Sequence, residues 1–380
     1  MSFATVLPMK KNAAFRFVVF TSPVRCLSAV ILFSLLTSCR QERCVGSFSA
    51  MNTYMSFLVY SENYKKGESC INLCQSEIAS IEQNISTTIQ TSDVSRINRS
   101  GGNADDDFLR GKLPVSFDVF ELLDFSNKMY QASSGTFNPA LYPVIKEWGF
   151  TTGEYRVPSA ERITALLKNT RLPEIKYGKL ENGGEAAKGS EKNFYVQPEK
   201  GMQLDFGAVG KGYAGDRAIS VLKENGIKSA LLDLGGNVQA LGRKPDGSLW
   251  KIGIKNPWGG KPVCSLEIAD CAVITSGGYE RFFTGADGKK YIHIFDSVTG
   301  HPVDNELESV TIVCKSGLYA DALSTTLFAM GSEKAFEFWK KNCDFDFILV
   351  KKDKSILYSE GLCGKIGIAD GFTGSEVSLK

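Results

Sequence analysis

The sequence predicts an α+β fold, with mixed and antiparallel sheets, packed helices and two coupled subdomains that hold the functional site between them. Three observations lead there. Short runs alternate apolar and polar residues with strand period, as in Met51, Tyr54, Phe57 and Val59. Other runs, such as Cys70 to Ile89, repeat with helical period. The two kinds follow one another without strict alternation, which argues against a doubly wound parallel sheet. With 43% hydrophobic and 23% charged residues among 380, the chain is long and apolar enough to bury a full core.

In chain order, residues 1–38 read as an export signal. They carry Lys10, Lys11, Arg16 and Arg25 and no acid, followed by the apolar run Leu27 to Leu36. The run is shorter than the roughly 20 residues that a membrane span needs. Leu36-Thr37-Ser38-Cys39 is similar to a bacterial lipobox, in which Cys39 becomes the lipidated first residue of the mature protein. Lys10 and Lys11 directly after Met9 point to Met9 as the start. The expectation is an exported protein anchored by lipid to the bacterial inner membrane and facing the periplasm, with 39–47 a tether and 48–380 the folded domain. The formal net charge is +2, and the four basic residues of the leader leave −2 for the remainder, so no basic surface for nucleic acid is implied.

Cys26 falls in the leader and Cys39 at the proposed anchor. The other eight cysteines are Cys44, Cys70, Cys74, Cys264, Cys271, Cys314, Cys343 and Cys363. Export permits disulfides but the spacing requires none, and most of these sit in apolar settings typical of buried thiols. With no C-x-x-C pair and only His293 and His301, zinc is not expected.

Phe48 to Tyr60 is expected as a strand, then a helix over Cys70 to Ile89 and a second over Asp118 to Ser133, which ends in the turn Ser133-Ser134-Gly135. A third helix spans Pro158 to Asn169 with Ser159 as N-cap. Glu181 to Asn193 is dense in Gly, Glu, Lys and Asn and reads as a flexible hairpin tip. Then come a strand at Asn193 to Val196, a glycine-rich turn, a helix over Tyr213 to Asn225 and a strand over Ser229 to Leu234. A second glycine turn at Gly235-Gly236-Asn237 leads into strands through Ile274, a helix over Ala320 to Met330 and a short one over Phe336 to Lys340.

The chemistry centres on the run Asp205 to Asp216. Its glycines let the backbone approach an anion, amides at the mouth of a helix point toward it, and Lys211 adds a charge, so it reads as a phosphate cradle. It has neither Walker nor G-x-G-x-x-G spacing. Asp321 and Thr325 stand at i and i+4 on one helix face, a hard-oxygen pair suited to Mg²⁺. The same residues also suit a helix cap and a threonine bonded back to its own helix.

Several runs, in order, carry a resemblance. They are Ala50-Met51-Asn52-Thr53-Tyr54, Ser95-Arg96-Ile97-Asn98, Ser134-Gly135-Thr136-Phe137-Asn138-Pro139 with Trp148-Gly149-Phe150, and Asp205 to Asp216. Leu234-Gly235-Gly236-Asn237, Thr275 to Arg281, His293-Ile294-Phe295-Asp296 with Thr299-Gly300-His301-Pro302, and Ala320 to Thr325 complete the set. Together they resemble the FAD:protein FMN transferases, periplasmic lipoproteins formerly linked to thiamine synthesis. The resemblance spans almost the whole mature chain.

It implies that Mg²⁺ is held by Asp321, Thr325 and the carbonyl of Ala208 and bridges the FAD pyrophosphate. It implies FAD contacts from Met51, Thr136, Phe137, Asn138, Asp205, Lys211 and the His293-Ile294 region. The implied reaction is attack by a threonine hydroxyl of an acceptor protein, within a D-G-x-[ST]-G-A-T-like motif, on the FMN phosphorus of FAD, with AMP leaving. Imidazole has a suitable unperturbed pKa for the base, and His293 lies inside the motif, with Lys211 assisting. His301 reads as a loop residue.

Three departures stand out: Asn52 where glycine is usual, Asn138 for a common aspartate, and Asp370 to Glu376, which faintly resembles the acceptor motif with Glu376 in the threonine's place and reads as a solvated tail. Tyr54, Phe137, Trp148 and Tyr279 are aromatic rings near the motifs, and Phe137 is the one favoured for contact with the ligand. Two other readings use the same site: hydrolysis of FAD to FMN and AMP, and a lipoprotein that binds FAD without turnover.

Overall fold

The computed structural model describes residues 41–102, 112–180 and 193–379. The export signal, Cys39 and nearly all of the 181–193 tip lie outside them. No helix among the described residues is long and apolar enough to cross a membrane.

The chain enters the fold earlier than its sequence suggests. In place of a tether and one strand there is a hairpin, β1 (Glu42–Ala50) and β2 (Thr53–Ser61), paired from Glu42↔Ser61 to Ala50↔Thr53. Met51 and Asn52 turn the corner at φ 50° and 57°. Two residues in the left-handed region make a type I′ turn, whose twist suits the flanking strands. Asn tolerates that region better than any other non-glycine residue, which accounts for Asn52 in a glycine's place.

Asn63 accepts from Lys66 N–H at 2.9 Å and starts α1 (Tyr64–Ile85), six residues before the expected Cys70. Its first turn is largely exposed and carries no apolar signal. Helix α2 (Asp93–Gly102) is so polar that only Val94 and Ile97 mark its buried face, and periodicity passes over it. Ser116 caps α3 (Phe117–Ala132), between β3 (Leu113–Val115) and the short α4 (Tyr142–Glu147). Ser159 caps α5 (Ala160–Leu167) by accepting from Arg162 N–H, as its position implies. Strands β4 (Lys176–Lys179) and β5 (Phe194–Gln197) pair antiparallel on either side of the 181–192 segment.

Helix α6 (Gly210–Glu224) is followed by β6 (Ser229–Leu234), β7 (Asn237–Leu241), β8 (Trp250–Ile254), β9 (Cys264–Ile268) and β10 (Ala272–Gly277). The hairpin β11 (Phe282–Thr284) and β12 (Lys290–Ile292) leads to β13 (Leu307–Cys314) and α7 (Gly317–Lys341). Gly331, at φ 77° and ψ 167°, kinks α7 between the two helices expected there. The chain closes with β14 (Asp346–Lys351), β15 (Ser355–Ser359), β16 (Ile366–Ile368) and β17 (Thr373–Val377). Residues 370–376, expected as a solvated tail, are largely exposed but lead into β17, which pairs parallel with β15 as the edge of the main sheet.

That sheet has nine strands in the order β1-β2-β6-β7-β10-β13-β14-β15-β17, all antiparallel except the last pair. Strand alternation sends neighbouring residues to opposite faces. Ile274, Ile312, Phe347 and Leu349 join the core shared with α1, α6 and α7. Val273, Val313, Ile348 and Val350 meet Trp250, Ile252 and Leu266 of the three-stranded sheet β16-β9-β8. A third, aromatic cluster gathers Trp148, Phe150 and Phe295. Gln41–Lys380 forms one compact unit, so the two parts expected from sequence are separate cores inside one body. The α+β class stands. All eight described cysteines are free thiols, and burial pushes those of Cys74, Cys264 and Cys314 up to about 12.

Candidate active site

Helices α6 and α7 cross at the glycines of the central run. A β-carbon on Gly212 would meet the Gly317 carbonyl, and one on Gly215 would meet the Gln239 amide, so neither position tolerates a side chain. Gln239 Nε2 donates to the Gly212 carbonyl at 3.0 Å. This corrects the cradle reading in part: these glycines admit neighbouring elements, and Gly210 N–H is already bonded to the Phe206 carbonyl at 2.8 Å. Helix α6 also begins three residues before the expected Tyr213, which places Lys211 in its first turn.

Each helix holds the other's first turn with a carboxylate. Asp216 of α6 accepts from Gly317 N–H at 2.7 Å, Leu318 N–H at 3.0 Å and Ser316 Oγ at 3.0 Å, capping α7. Burial raises the Asp216 carboxyl above its ordinary value, and these bonds oppose the shift. In return, buried Asp321 of α7 accepts the Gly212 N–H on Oδ2 at 2.8 Å.

This second bond has a consequence for a metal. Regular helix geometry would give the Gly212 N–H to the Ala208 carbonyl, four residues back. Asp321 takes it instead, and the Ala208 carbonyl accepts no backbone N–H among the described residues. Thr325, one turn after Asp321, lies half-buried with Oγ1 3.2 Å from Ser276 Oγ of β10. A free carbonyl, a carboxylate and a hydroxyl form a hard-oxygen donor set, which fits Mg²⁺. No group of three His, Cys, Asp or Glu side chains among the described residues is placed to hold a metal. A cation at this site would therefore depend on hydroxyl, carbonyl and ligand oxygens beside the single Asp321 carboxylate.

Charge gathers beside the first turn of α6. Asp205 lies within the fields of Lys211 and Arg281 and accepts from Gly207 N–H at 2.8 Å, and its own N–H donates to the Pro139 carbonyl at 3.0 Å. Burial raises its carboxyl, and the Gly207 bond and the two cations pull it back. Among the described residues no carboxylate forms an ion pair with Lys211.

His293 follows β12 directly, and its backbone N–H and its ring Nδ1 each lie 3.1 Å from the Arg281 carbonyl. A carbonyl only accepts, so Nδ1 carries the proton and Nε2 keeps its lone pair. Burial lowers the imidazole to about 4, helped by the positive charges of Arg281 and Lys211 and opposed by the Arg281 carbonyl. At neutral pH the ring is an uncharged base.

The other expected contact residues divide by burial. Thr136 is half-buried in the turn after α3, which Ser297 Oγ ties to the His293 loop through the Gly135 carbonyl at 2.7 Å. Phe137 is only 3% exposed and Trp148 fully buried, so both rings are packing. The Phe137 ring, favoured above for contact with the ligand, packs into the apolar core in this structure. Ile294 is likewise core. The Asn138 amide is used at both ends, accepting from Ala140 N–H at 3.0 Å and donating to the Thr170 carbonyl at 2.9 Å. Met51 packs partly on the core, in a turn held against Gly235 by Thr53. Tyr54 is 65% exposed, and Tyr279 stacks under Lys255.

Sequence reading left Arg281, Ser276 and Asn98 without roles, although all three lie within or beside the quoted motifs. Asn98 holds the approach to Asp205, donating to the Leu204 carbonyl at 2.8 Å and accepting its N–H at 2.6 Å.

The family model described as the ApbE family matches residues 51–349, more than three quarters of the chain. The chain belongs to the ApbE family. Among curated relatives, an FAD:protein FMN transferase of Klebsiella pneumoniae (strain 342) is 36% identical over 252 residues, 66% of this chain and 74% of its own length. One from Treponema pallidum (strain Nichols) is 33% identical over 272 residues, 68% and 73% respectively. Among solved structures, the ApbE protein of Thermotoga maritima superposes with a TM-score of 0.74 at 27% identity, covering 85% of this chain and 99% of that one. The Pseudomonas stutzeri flavinyl transferase ApbE, in its apo form, gives 0.69 at 28% identity, covering 82% and 92%. The ApbE family match begins at Met51, the turn that carries the first quoted motif.

Proposed function

We propose that this ApbE family enzyme transfers FMN from FAD to a threonine hydroxyl of an acceptor protein and releases AMP, with Mg²⁺ at the site. The observation that carries the reading is the diverted Gly212 N–H, which the Asp321 carboxylate takes, leaving the Ala208 carbonyl, three residues before Lys211, without a backbone donor among the described residues. Relatives named FAD:protein FMN transferases support the flavin chemistry.

Asp321, Thr325 and the Ala208 carbonyl would hold the cation, and when bound it would offset negative charge on the pyrophosphate. The chain's own residues do the rest. Lys211 and Arg281 bring positive charge to the phosphate oxygens, where charge builds in the transition state. His293 Nε2 takes the proton of the incoming threonine hydroxyl. The threonine oxygen bonds to the FMN phosphorus, the pyrophosphate P–O bond to the AMP side breaks, and AMP leaves with that electron pair. Thr136 and the backbone beside Met51, Phe137, Asn138 and Ile294 line the flavin's approach.

The same reading places the enzyme outside the cytoplasm, lipid-anchored through Cys39 to the inner membrane and facing the periplasm, where its acceptor carries a D-G-x-[ST]-G-A-T-like motif. The test incubates purified protein with FAD, Mg²⁺ and a peptide containing that motif. The expected products are a covalent flavopeptide and AMP. Free FMN and AMP with an unmodified peptide would replace transfer by hydrolysis, and bound FAD with neither product would leave a binding protein. For the anchor, replacing Cys39 by Ala in cells is expected to release the protein from the membrane fraction.

A further inference from the structure

Three hydroxyls join β10 to α7 behind the proposed cation ligand. Ser324 Oγ donates to the Asp321 carbonyl at 2.8 Å, Ser276 Oγ lies 2.7 Å from Ser324 Oγ, and Thr325 Oγ1 lies 3.2 Å from Ser276 Oγ. Each hydroxyl has one proton, and three contacts need three. The carbonyl only accepts, so the Ser324 proton lies on that bond. Ser276 must then donate to Ser324, and Thr325 must donate to Ser276. The order is forced from one end. Its result is that the Thr325 proton points at Ser276 and the oxygen's lone pairs are left for another partner. A hydroxyl that ligates a cation has to turn its proton away from it.

We propose that Ser276 and Ser324 are positioning residues, a proton-ordering relay that presents the Thr325 oxygen to the divalent cation. Neither need touch the cation. The inference rests on the Mg²⁺ reading given above. Groups that orient a metal's ligands commonly contribute about 10–100-fold to its affinity. Ser276 is half-buried on a strand, where threonine is also well accommodated, so conservative replacement is available.

The experiment titrates Mn²⁺, read by its paramagnetic resonance signal, into the full chain with ADP supplying a pyrophosphate. Ser276→Ala is expected to weaken Mn²⁺ binding by about 10-fold or more, and Ser276→Thr to restore it. In a Thr325→Val background, Ser276→Ala should have no further effect, because the serine acts only through the threonine oxygen. A purely structural serine would weaken binding equally in both backgrounds, and that result overturns the relay. Asp321→Asn, which keeps an acceptor for the Gly212 N–H while removing the charge, separates the two readings. If it leaves Mn²⁺ binding intact, the metal site itself is wrong. If it abolishes binding while Ser276→Ala does nothing, only the relay falls.

Discussion

In the proposed reaction, the crossing of α6 and α7 and the hairpin that presents His293 would supply different halves, and the two regions are built differently. At the crossing, Asp216 and Asp321 each hold the other helix's first turn, the glycines admit no side chain, and the polar groups are largely buried. At the hairpin, two three-residue strands form their own small sheet, Arg281 and Phe282 are exposed, and the imidazole is fixed through one carbonyl. The first region has the rigid build that the proposed binding of a constant ligand, a pyrophosphate, calls for. The second is exposed, as the proposed approach of an acceptor protein requires. Preorganised electrostatics need rigid supports, whereas meeting a separate macromolecule needs access.

Asp321→Ala should break this contrast most severely. It removes a proposed cation ligand and strands the Gly212 N–H, and flavin transfer is expected to fall below detection in the acceptor-peptide assay. Retained activity would reject the metal face. His293→Ala should lower kcat by about 10²–10⁴-fold, the usual contribution of a positioned base, while thermal unfolding stays close to that of the parent. A comparable loss of stability would instead make His293 a structural residue.

Asp216→Ala is expected to act the other way. By leaving the capped α7 amides and Ser316 without their acceptor, it should destabilise the fold by about 2–3 kcal/mol, measured by urea unfolding. Unchanged stability would remove the reciprocal clamp from the account.

Arg281→Gln tests the hairpin by pH. His293 is held near 4, below its unfolded value, so the neutral base persists as pH falls from 7 and is lost only near that lower value. The acid limb of kcat/KM in the parent should therefore lie well below 6.5. Removing a neighbouring positive charge favours the imidazolium, so the variant's limb should move upward. A limb that stays in place would show that Arg281 does not act on the ring. The smallest effect is expected from Asn52→Gly, which changes stability by less than about 1 kcal/mol because both residues accept the left-handed turn.

Parts of the candidate site were legible in the chain because local chemistry wrote them there. Asp321 and Thr325 share a face by helical spacing alone, and Lys211 sits among glycines that no ordinary helix start requires. The glycines were harder to interpret. Their lack of a side chain is visible in sequence, but whether the space serves an anion or a neighbouring helix depends on what comes to occupy it. Gly317 and Gln239 lie far along the chain from the glycines they approach. The strand β6 was read with its observed bounds, a short apolar run closed by the glycine turn that follows it. The hairpin turn was missed because Met51 and Asn52 offer neither the glycine nor the proline that usually marks a corner, and α2 because its buried face has only two apolar residues.

What the amino-acid sequence determined by itself was the α+β class, the glycine-rich run, and the carboxylate and hydroxyl on one helix face, since each follows from composition or from spacing within a few residues. Tertiary structure alone decided that Asp321 takes the Gly212 N–H, that Asp216 caps α7, that Phe137 is core and that Ser276 meets Thr325. Those are pairings between residues tens to more than a hundred positions apart, and local periodicity has no information about which distant backbone group will be left unpaired and which will be brought to satisfy it.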